Sequence, residues 1–200
     1  MAGGRPRAFD VDEALERALE LFWRHGYEGT GVADLAKAMG INPPSLYSAF
    51  GNKQELFAKV LDRYAEGPAG YIREALAQPT ARMVVERLLR GAAEATTRPD
   101  CPPGCLTVQG GLASSSGAEA ARDELTRRRT AGEAALRLRL EQAGIDGELP
   151  DGVGSADLSR YFATVYQGIA VQAAGGASRE QLDRVVDVAM RTWPTGSSGN

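Results

Sequence analysis

Apolar residues recur at helical spacing through the first third of the chain, where four separate stripes are visible. Each stripe has an apolar side chain every three or four residues, the spacing that aligns side chains on one face of an α-helix. The predicted helices cover Phe9–His25, Val32–Met39, about Pro43–Phe50 and about Lys53–Glu66. Together they predict a closed helical unit.

The ends of these helices are marked by capping residues. The predicted caps and stops are Asp10, Gly26, Asn42 and Asn52. Glu13 and Glu55 follow Asp10 and Asn52 by three residues, the capping-box spacing in which each side chain accepts from an otherwise unpaired backbone N–H. Pro43 is tolerated in the first turn of the third helix, because its missing N–H would have no partner there.

Beyond Gly67 and Pro68 the helical stripes continue, and we predict the domain boundary at this break. The later elements are a helix marked by apolar residues from Met83 to Leu89, a Pro-rich corner leading into Cys105–Leu112, a charged helix over about Ala118–Ala143 and two final helices, whose apolar stripes run from Leu158 to Ile169 and from Leu182 to Trp193. The pattern predicts an all-α fold with two domains, residues 1–66 and 67–200.

Composition is that of a folded soluble protein, with 43% hydrophobic and 24% charged residues. No stretch approaches the roughly 18 apolar residues of a membrane span, and Met1–Arg7 lacks the apolar core of a secretion signal. We therefore expect a cytoplasmic protein with no membrane partner, in which Cys101 and Cys105 are free thiols. Because the net charge is −3, any DNA affinity must come from the placement of charge.

An enzyme is one alternative class, and the sequence gives it little support. His25 is the single histidine and lies far in sequence from both cysteines, which argues against a Cys-His nucleophilic pair. Two cysteines do not complete a tetrahedral zinc site, and the glycines after residue 109 lack the Lys-Ser/Thr ending of a phosphate loop. We predict no catalytic residue, no metal and no cofactor.

The segment Val32–Ala49 has the pattern of a helix-turn-helix. Small Ala36 allows two helices to approach closely, and Gly40 permits the turn between them. In such a motif the second helix enters the DNA major groove, and the residues that would reach the bases are Asn42 to Ser48. Short helical pairs also occur in proteins that never contact nucleic acid, so a helical protein-interaction adaptor remains an alternative at this point.

The surrounding sequence resembles the TetR family of regulators over residues 9–66. The resemblance lies in GYEGTGVADLAKAMGINPPSLYSAFGNKQELF, residues 26–57, with Gly-Tyr after the first helix, Ala and Gly at the turn, Leu-Tyr-x-x-Phe in the third helix and Lys, then Leu-Phe, after it. It implies an N-terminal three-helix helix-turn-helix DNA-binding domain and a C-terminal helical domain for ligand binding and dimerisation. Gly31 departs from the pattern, which usually has Ser or Thr there.

The resemblance implies a repressor that binds double-stranded operator DNA as a homodimer. The Tyr47 hydroxyl can donate to a phosphate and its ring can pack on a thymine methyl group, while Lys53 lies at a helix start that favours anions. Thr30 would hold a phosphate by its hydroxyl or backbone N–H, and the arginines before residue 9 form either a basic arm or a solvated tail. The predicted DNA contacts are Arg5, Arg7, Thr30, Lys37, Asn42, Pro44, Ser45, Tyr47, Ser48 and Lys53.

The last two helices are the predicted dimer surface, because helix-turn-helix proteins usually bind palindromic half-sites as two-fold pairs. The predicted dimer residues are Leu158, Tyr161, Val165, Ile169, Leu182, Val185, Val186, Ala189 and Trp193. An unidentified small molecule or electrophile is the expected effector, and the candidate pocket residues are Tyr71, Met83, Leu106, Gln109, Phe162 and Tyr166. For each residue in both sets, ordinary intrachain core is the alternative.

Cys105 is a candidate redox or electrophile sensor. The segment PPGCLTVQGGLA resembles a branch of the family with a Gly-Cys-Leu element, and in some members of that branch the cysteine senses oxidants or electrophiles. A helix N-terminus can lower the pKa of a thiol, and Gly104 just precedes a predicted helix. The alternative is a small buried apolar residue. Cys101 is the candidate resolving partner.

Overall fold

The computed structural model describes residues 9–110, 118–150 and 152–195, and these residues fold into helices joined by turns, without a strand. The ten helices within those ranges are α1 (Val11–His25), α2 (Val32–Met39), α3 (Pro43–Phe50), α4 (Lys53–Glu66), α5 (Tyr71–Leu76), α6 (Ala81–Thr96), α7 (Leu106–Gln109), α8 (Glu119–Ile145), α9 (Ser155–Ala174) and α10 (Arg179–Arg191). None of these helices combines the length and the apolar character that a membrane span needs.

Side-chain caps fix the helix starts of the N-terminal region. Asp10 Oδ1 accepts from two backbone N–H groups of the first turn of α1, at 2.9 and 3.1 Å. Asn52 and Glu55 form the full reciprocal box at α4, as predicted. The reciprocal half of the box predicted at Asp10 is wrong, because the Glu13 carboxylate pairs with Arg17 one turn further along α1.

An aromatic cluster holds α1 against α4. Phe22 packs on Phe57 with ring centroids 4.9 Å apart, and Tyr27 approaches Phe57 at 5.1 Å. Phe22 and Phe57 are 0% and 1% exposed, so the cluster is the centre of the N-terminal core. The α2–α3 pair packs on this core and owes its position to it.

The core of the first four helices continues into the C-terminal region. Cys105, Leu106 and Val108 around α7, and Leu125 of α8, belong to the same buried cluster as α1 and α4. Gly67 therefore ends α4 without ending the core, and the division into residues 1–66 and 67–200 stays a prediction. The helix α5, which directly follows this break, was not predicted from the hydrophobic pattern.

A second buried cluster joins α6, α8, α9 and α10. Its largest members include Phe162, Leu89 and Leu140, each fully enclosed. Predicted and observed helix lengths differ in this region. The helix expected over Cys105–Leu112 is the four-residue α7, with Leu112 outside the described residues, and α8 continues two residues beyond Ala143.

Candidate nucleic-acid interface

The turn between α2 and α3 depends on a left-handed glycine. Gly40 has φ 69° and ψ 28°, a conformation that is strained for residues with a Cβ. Its N–H donates to the Lys37 carbonyl at 3.2 Å, and the Ile41 N–H donates to the Ala36 carbonyl at 3.0 Å. These bonds satisfy the last carbonyls of α2 and direct the chain into α3 within three residues.

One side of α3 anchors it to the core. Asn42 Oδ1 accepts from the Ser45 N–H at 2.8 Å and caps the helix, as predicted. Leu46 and Phe50 lie one turn apart and are 0% and 2% exposed. Ala49, which was predicted to point inward beside Leu46, is only half-buried, because Phe50 fills that position.

The opposite side of α3 faces solvent. Tyr47 is 50% exposed although its neighbour Leu46 is fully buried. Asn42, Pro44 and Ser48 are exposed as well, and Ser45 is half-buried. The predicted base-reading residues therefore share one accessible face.

Three lysines from neighbouring helices frame α3. Lys37 is exposed in the last turn of α2. Lys53 Nζ lies 4.3 Å from the ring centroid of Tyr27, and burial lowers the pKa of this amine while Glu28 acts in the opposite direction. Lys59 Nζ donates to the Phe50 carbonyl at 3.3 Å. Sequence reasoning missed Lys59, since its contact joins residues nine apart across a turn and no local spacing indicates it.

The predicted phosphate contact by the Thr30 hydroxyl is wrong for this conformation. Thr30 is 1% exposed, and its hydroxyl donates to the Gly26 carbonyl at 2.7 Å. Only the alternative, a contact through the Thr30 backbone N–H, stays a prediction. Arg5 and Arg7 lie outside the described residues.

The arrangement combines an uncharged projecting helix with cations on the helices beside it. Residues of α3 carry no ionisable group other than the Tyr47 phenol. Since phosphate contacts position a protein on a duplex and uncharged contacts can read base edges, this geometry suits a nucleic-acid duplex.

Comparison with known proteins identifies the family. Residues 14–60, from α1 into α4, match the family model described as bacterial regulatory proteins, tetR family. Over 193 residues the chain is 34% identical to the HTH-type transcriptional repressor ComR of Escherichia coli (strain K12), a match that covers 96% of this chain and 92% of ComR. The chain belongs to the TetR family. It is thus a transcriptional regulator, and the resemblance found at residues 9–66 is confirmed.

Solved structures extend the likeness to the whole fold. A cysteine mutant of the TetR family transcriptional regulator CifR, complexed with a 26 bp double-strand operator DNA, is 42% identical and has a TM-score of 0.90, covering 95% of this chain and 100% of that chain. A protein from Rhodococcus sp. RHA1, described as a TetR transcriptional regulator, is 45% identical with a TM-score of 0.63, covering 92% and 99%. The all-α prediction with a TetR-type fold is confirmed.

A cavity of about 590 Å³ lies between α4, α5, α6, α8 and α9 of this TetR-family protein and is partly open to solvent. Of the predicted effector residues, Tyr166 lines this cavity, and its hydroxyl lies 3.1 Å from the Tyr71 hydroxyl. Burial raises the pKa of both phenols, so both remain protonated at neutral pH.

The other predicted effector residues lie elsewhere. Met83 does not line this cavity and is 44% exposed on α6. Phe162 is wholly enclosed in the C-terminal core. Leu106 and Gln109 border a different cavity of about 700 Å³, between α7 and the end of α1. The prediction that these residues share one pocket is therefore wrong, because the spacing of apolar residues does not identify which neighbours meet in the fold.

Cys105 is buried among tyrosines. It is 1% exposed, and its Sγ lies 3.1 Å from Thr107 Oγ1. The pKa of the Tyr64 and Tyr71 phenols is raised mainly by burial, and the neighbouring Cys105 raises it further. Because α7 has only four residues, the helix-terminal field expected at the thiol is small. Cys101 is half-buried, and burial raises its pKa, which disfavours the thiolate.

The predicted dimer residues divide into two groups. Ile169, Leu182, Val186, Ala189 and Trp193 are at most 8% exposed and form part of the core of the protomer, which corrects their assignment to an exposed surface. Tyr161 and Val185 are 40% and 45% exposed, whereas Leu158 and Val165 are half-buried. Val188, 59% exposed and three residues after Val185, was missed.

Proposed function

We propose that this TetR-family protein is a homodimeric repressor that inserts α3 into the major groove of each half of a palindromic operator and releases the operator when an effector acts on its C-terminal domain. The observation that carries the proposal is the outward face of α3. Tyr47 projects into solvent there, while Leu46 and Phe50 hold the same helix to the core. The alternative of an adaptor without DNA affinity is disfavoured, because ComR is a transcriptional repressor and CifR is bound to operator DNA.

Homodimerisation is supported by the exposed side of the α9–α10 pair. Tyr161 on α9 and Val185 and Val188 on α10 leave apolar surface uncovered in the protomer. A groove between the two helices is bordered by Val165 and Gly168, and in the proposed dimer it would receive the same helices of a second copy across a two-fold axis. Such an axis would present two copies of α3 to successive turns of one duplex face.

Contacts of α8 and α4 provide a route from the C-terminal region to α3. Arg128 of α8 pairs with Asp62 of α4 at 2.7 Å, and Arg129 donates to the Thr107 carbonyl, beside Cys105, at 2.6 Å. Leu61 and Asp62 also line the 590 Å³ cavity. Since α4 follows α3 after two residues, a ligand that displaces α4 would change the orientation of α3 and thereby the spacing of the two recognition helices.

The Cys105 thiol is a second candidate trigger, favoured by its packing against Tyr64, Tyr71 and Thr107. Because Cys105 is 1% exposed, a substituent on Sγ would displace these neighbours, and a displaced Tyr64 would move α4, which carries it. Peroxide or N-ethylmaleimide would then lower operator affinity in the wild-type protein and leave a Cys105→Ser variant unchanged. Equal loss of affinity in both proteins would remove Cys105 from the mechanism.

The DNA proposal is tested by selecting bound fragments from a random duplex library with the purified protein. We expect enrichment of a palindrome and an affinity that falls with salt, with a log–log slope of about −0.9 per phosphate contact. Fluorescence anisotropy with the selected duplex measures both quantities. A protein that retains no duplex at low ionic strength would overturn the proposal.

A further inference from the structure

The face that α3 offers to a duplex carries apolar rings and neutral polar groups, but no cation. Pro43, Pro44, Tyr47 and Ser48 form this face, because residues four apart lie one above the other on a helix. Arginine and lysine are the side chains that pair with the O6 and N7 acceptors of guanine. The residues of α3 include neither, so the strongest means of selecting guanine is missing from this helix.

Backbone donors are also missing at the start of α3. Pro43 and Pro44 have no N–H, and the Ser45 N–H is already bonded to Asn42 Oδ1 at 2.8 Å. A helix N-terminus normally offers such groups to acceptors on the DNA. Here its first three positions present two pyrrolidine rings and one satisfied amide, so the end of the helix closest to the groove is apolar.

The neutral polar groups beside these rings do not select a base by themselves. With Oδ1 committed to the cap, Asn42 offers its amide N–H donors, and adenine, guanine and thymine all have a major-groove acceptor for them. The hydroxyls of Tyr47 and Ser48 can donate or accept, and so they tolerate several bases. What remains selective is apolar contact, for which the C5 methyl group of thymine is the partner in the major groove.

The positive charge lies where the sugar-phosphate backbone would pass. Lys37 on α2 and Lys53 and Lys59 on α4 flank α3 on neighbouring elements. Lys59 bonds to the carbonyl at the end of α3, and Lys53 lies over the Tyr27 ring, so two of the three amines are fixed beside the helix. Cations therefore provide affinity at the sides, while the centre of the contact is apolar.

We infer that α3 selects its half-site by the methyl groups of thymines, through the rings of Pro43, Pro44 and Tyr47, and without a charged contact to guanine. This inference rests on the proposed function, because it assumes that α3 enters the major groove. It predicts half-sites in which one or two A·T pairs are required with a fixed orientation, since the methyl group lies on one strand only.

Base analogues that lack a single functional group, placed one at a time in the selected operator, test the inference. Replacing one thymine by deoxyuridine removes only the methyl group, and we expect a loss of about fourfold per contacted methyl, or on the order of tenfold when both half-sites are changed. Replacing guanine by 7-deazaguanine removes the N7 acceptor and should change the affinity less than about twofold, because no bidentate donor faces it. The inference would be overturned if no deoxyuridine replacement lowered the operator affinity while 7-deazaguanine replacements did. That result would leave the proposed operator binding intact.

A variant assigns the contact to a residue. For Pro44→Ala, the affinity for the thymine operator divided by that for the deoxyuridine operator should fall to about one at one position. The reason is that the ring that contacts the methyl group is removed. Pro99→Ala changes an exposed proline away from α3 and should keep the wild-type ratio at every position. An unchanged ratio in Pro44→Ala would overturn the assignment to Pro44. Failure of the wild-type protein to retain any duplex would instead overturn the proposed function and this inference with it.

Discussion

The α2–α3 pair and the α9–α10 pair both expose apolar side chains, but the charges around them differ. Around α3, Lys53 lies over the Tyr27 ring with Glu28 as an acidic neighbour, and Lys59 donates to the Phe50 carbonyl. On α10, Arg184 pairs with Glu180 at 2.7 Å, and Asp187 pairs with Arg90 of α6 at 2.7 Å. Exposed apolar surface alone does not identify a partner. Beside lysines that frame an uncharged helix it suits a duplex, and beside charges paired within the protomer it suits another protein.

The largest effect is expected from placing charge on the α9–α10 pair. Val185→Asp with Val188→Asp puts two carboxylates into the proposed two-fold interface, where they would be desolvated without partners. We expect a monomer in sedimentation velocity and a loss of operator affinity of about 100-fold or more, because binding through two linked sites is lost. Anisotropy with the selected operator measures the second quantity.

Leu138→Asp is a control that places one carboxylate at an exposed apolar position outside the α9–α10 pair. Leu138 is an apolar residue of α8 with 62% exposure, so the substitution has a similar cost in the protomer. Glu133 of α8 pairs with Arg160 of α9 at 2.8 Å, and a residue five positions later points about 140° away from that contact. Leu138→Asp should stay dimeric. If the Val185→Asp, Val188→Asp protein stayed dimeric, the exposed side of the α9–α10 pair would not be the dimer interface.

Removing the Tyr47 side chain is expected to produce the next largest effect. Tyr47→Ala should weaken operator binding by about 1–2 kcal/mol, or roughly tenfold, with little change in thermal stability because the residue is half exposed. Tyr47→Phe separates the hydroxyl from the ring by restoring only the latter. Unchanged affinity in Tyr47→Ala would remove the residue from the interface.

The adjacent position gives the contrasting control. Leu46→Ala creates a cavity under α3 and should destabilise the protein by about 2–5 kcal/mol, because Leu46 is fully buried. Chemical denaturation distinguishes the two variants, since Tyr47→Ala loses affinity without stability and Leu46→Ala loses stability first.

How much the sequence reveals differs between the same two regions. The α2–α3 pair depends on local signals, such as the Asn42 cap, the left-handed Gly40 and the buried Leu46, and each was predictable from its neighbours in the chain. Periodicity also found the stripes of α9 and α10. It did not show which half of each stripe the protomer covers, because the burial of Val186 and the exposure of Val188 depend on helices distant in sequence.

Contacts between distant charges were likewise beyond prediction. Arg128 belongs to a run of three arginines that reads as a solvated helix face. In the structure its side chain is 20% exposed and joins α8 to Asp62 of α4 across 66 residues. The short α5 and the cavity beside it depend on the same tertiary packing.

A smaller effect should follow when this connection between the two regions is removed. Arg128→Met leaves Asp62 without its guanidinium partner and removes the ion pair that joins α4 to α8, while Glu124 keeps its pair with Arg127. We expect a loss of about 1 kcal/mol in unfolding free energy and a change in operator affinity of about two- to fivefold, because α3 is oriented through α4. Arg127→Met is the control, since Arg127 is 67% exposed and pairs only within α8 among the described residues. Identical behaviour of both variants would mean that the Arg128–Asp62 pair does not couple the regions.

The smallest expected effect is on the stability of the C-terminal region at acid pH, and it comes from Glu148. The Glu148 carboxylate accepts from the Ala81 N–H at the start of α6 and pairs with Arg139, and these contacts lower its pKa, the Ala81 bond contributing most. A carboxyl whose folded-state pKa is depressed stabilises the protein above its ordinary pKa, and this contribution is lost as the pH falls through the folded-state value. Glu148→Gln should therefore cost up to about 1 kcal/mol at neutral pH and progressively less toward pH 3. Glu141→Gln is the control, because Glu141 forms an exposed ion pair with Arg137 within α8. This substitution should have no measurable effect at any pH. Denaturant titrations between pH 7 and 3 measure the unfolding free energies. If Glu148→Gln cost the same at pH 7 and at pH 3, the charge of Glu148 would not be what stabilises the start of α6.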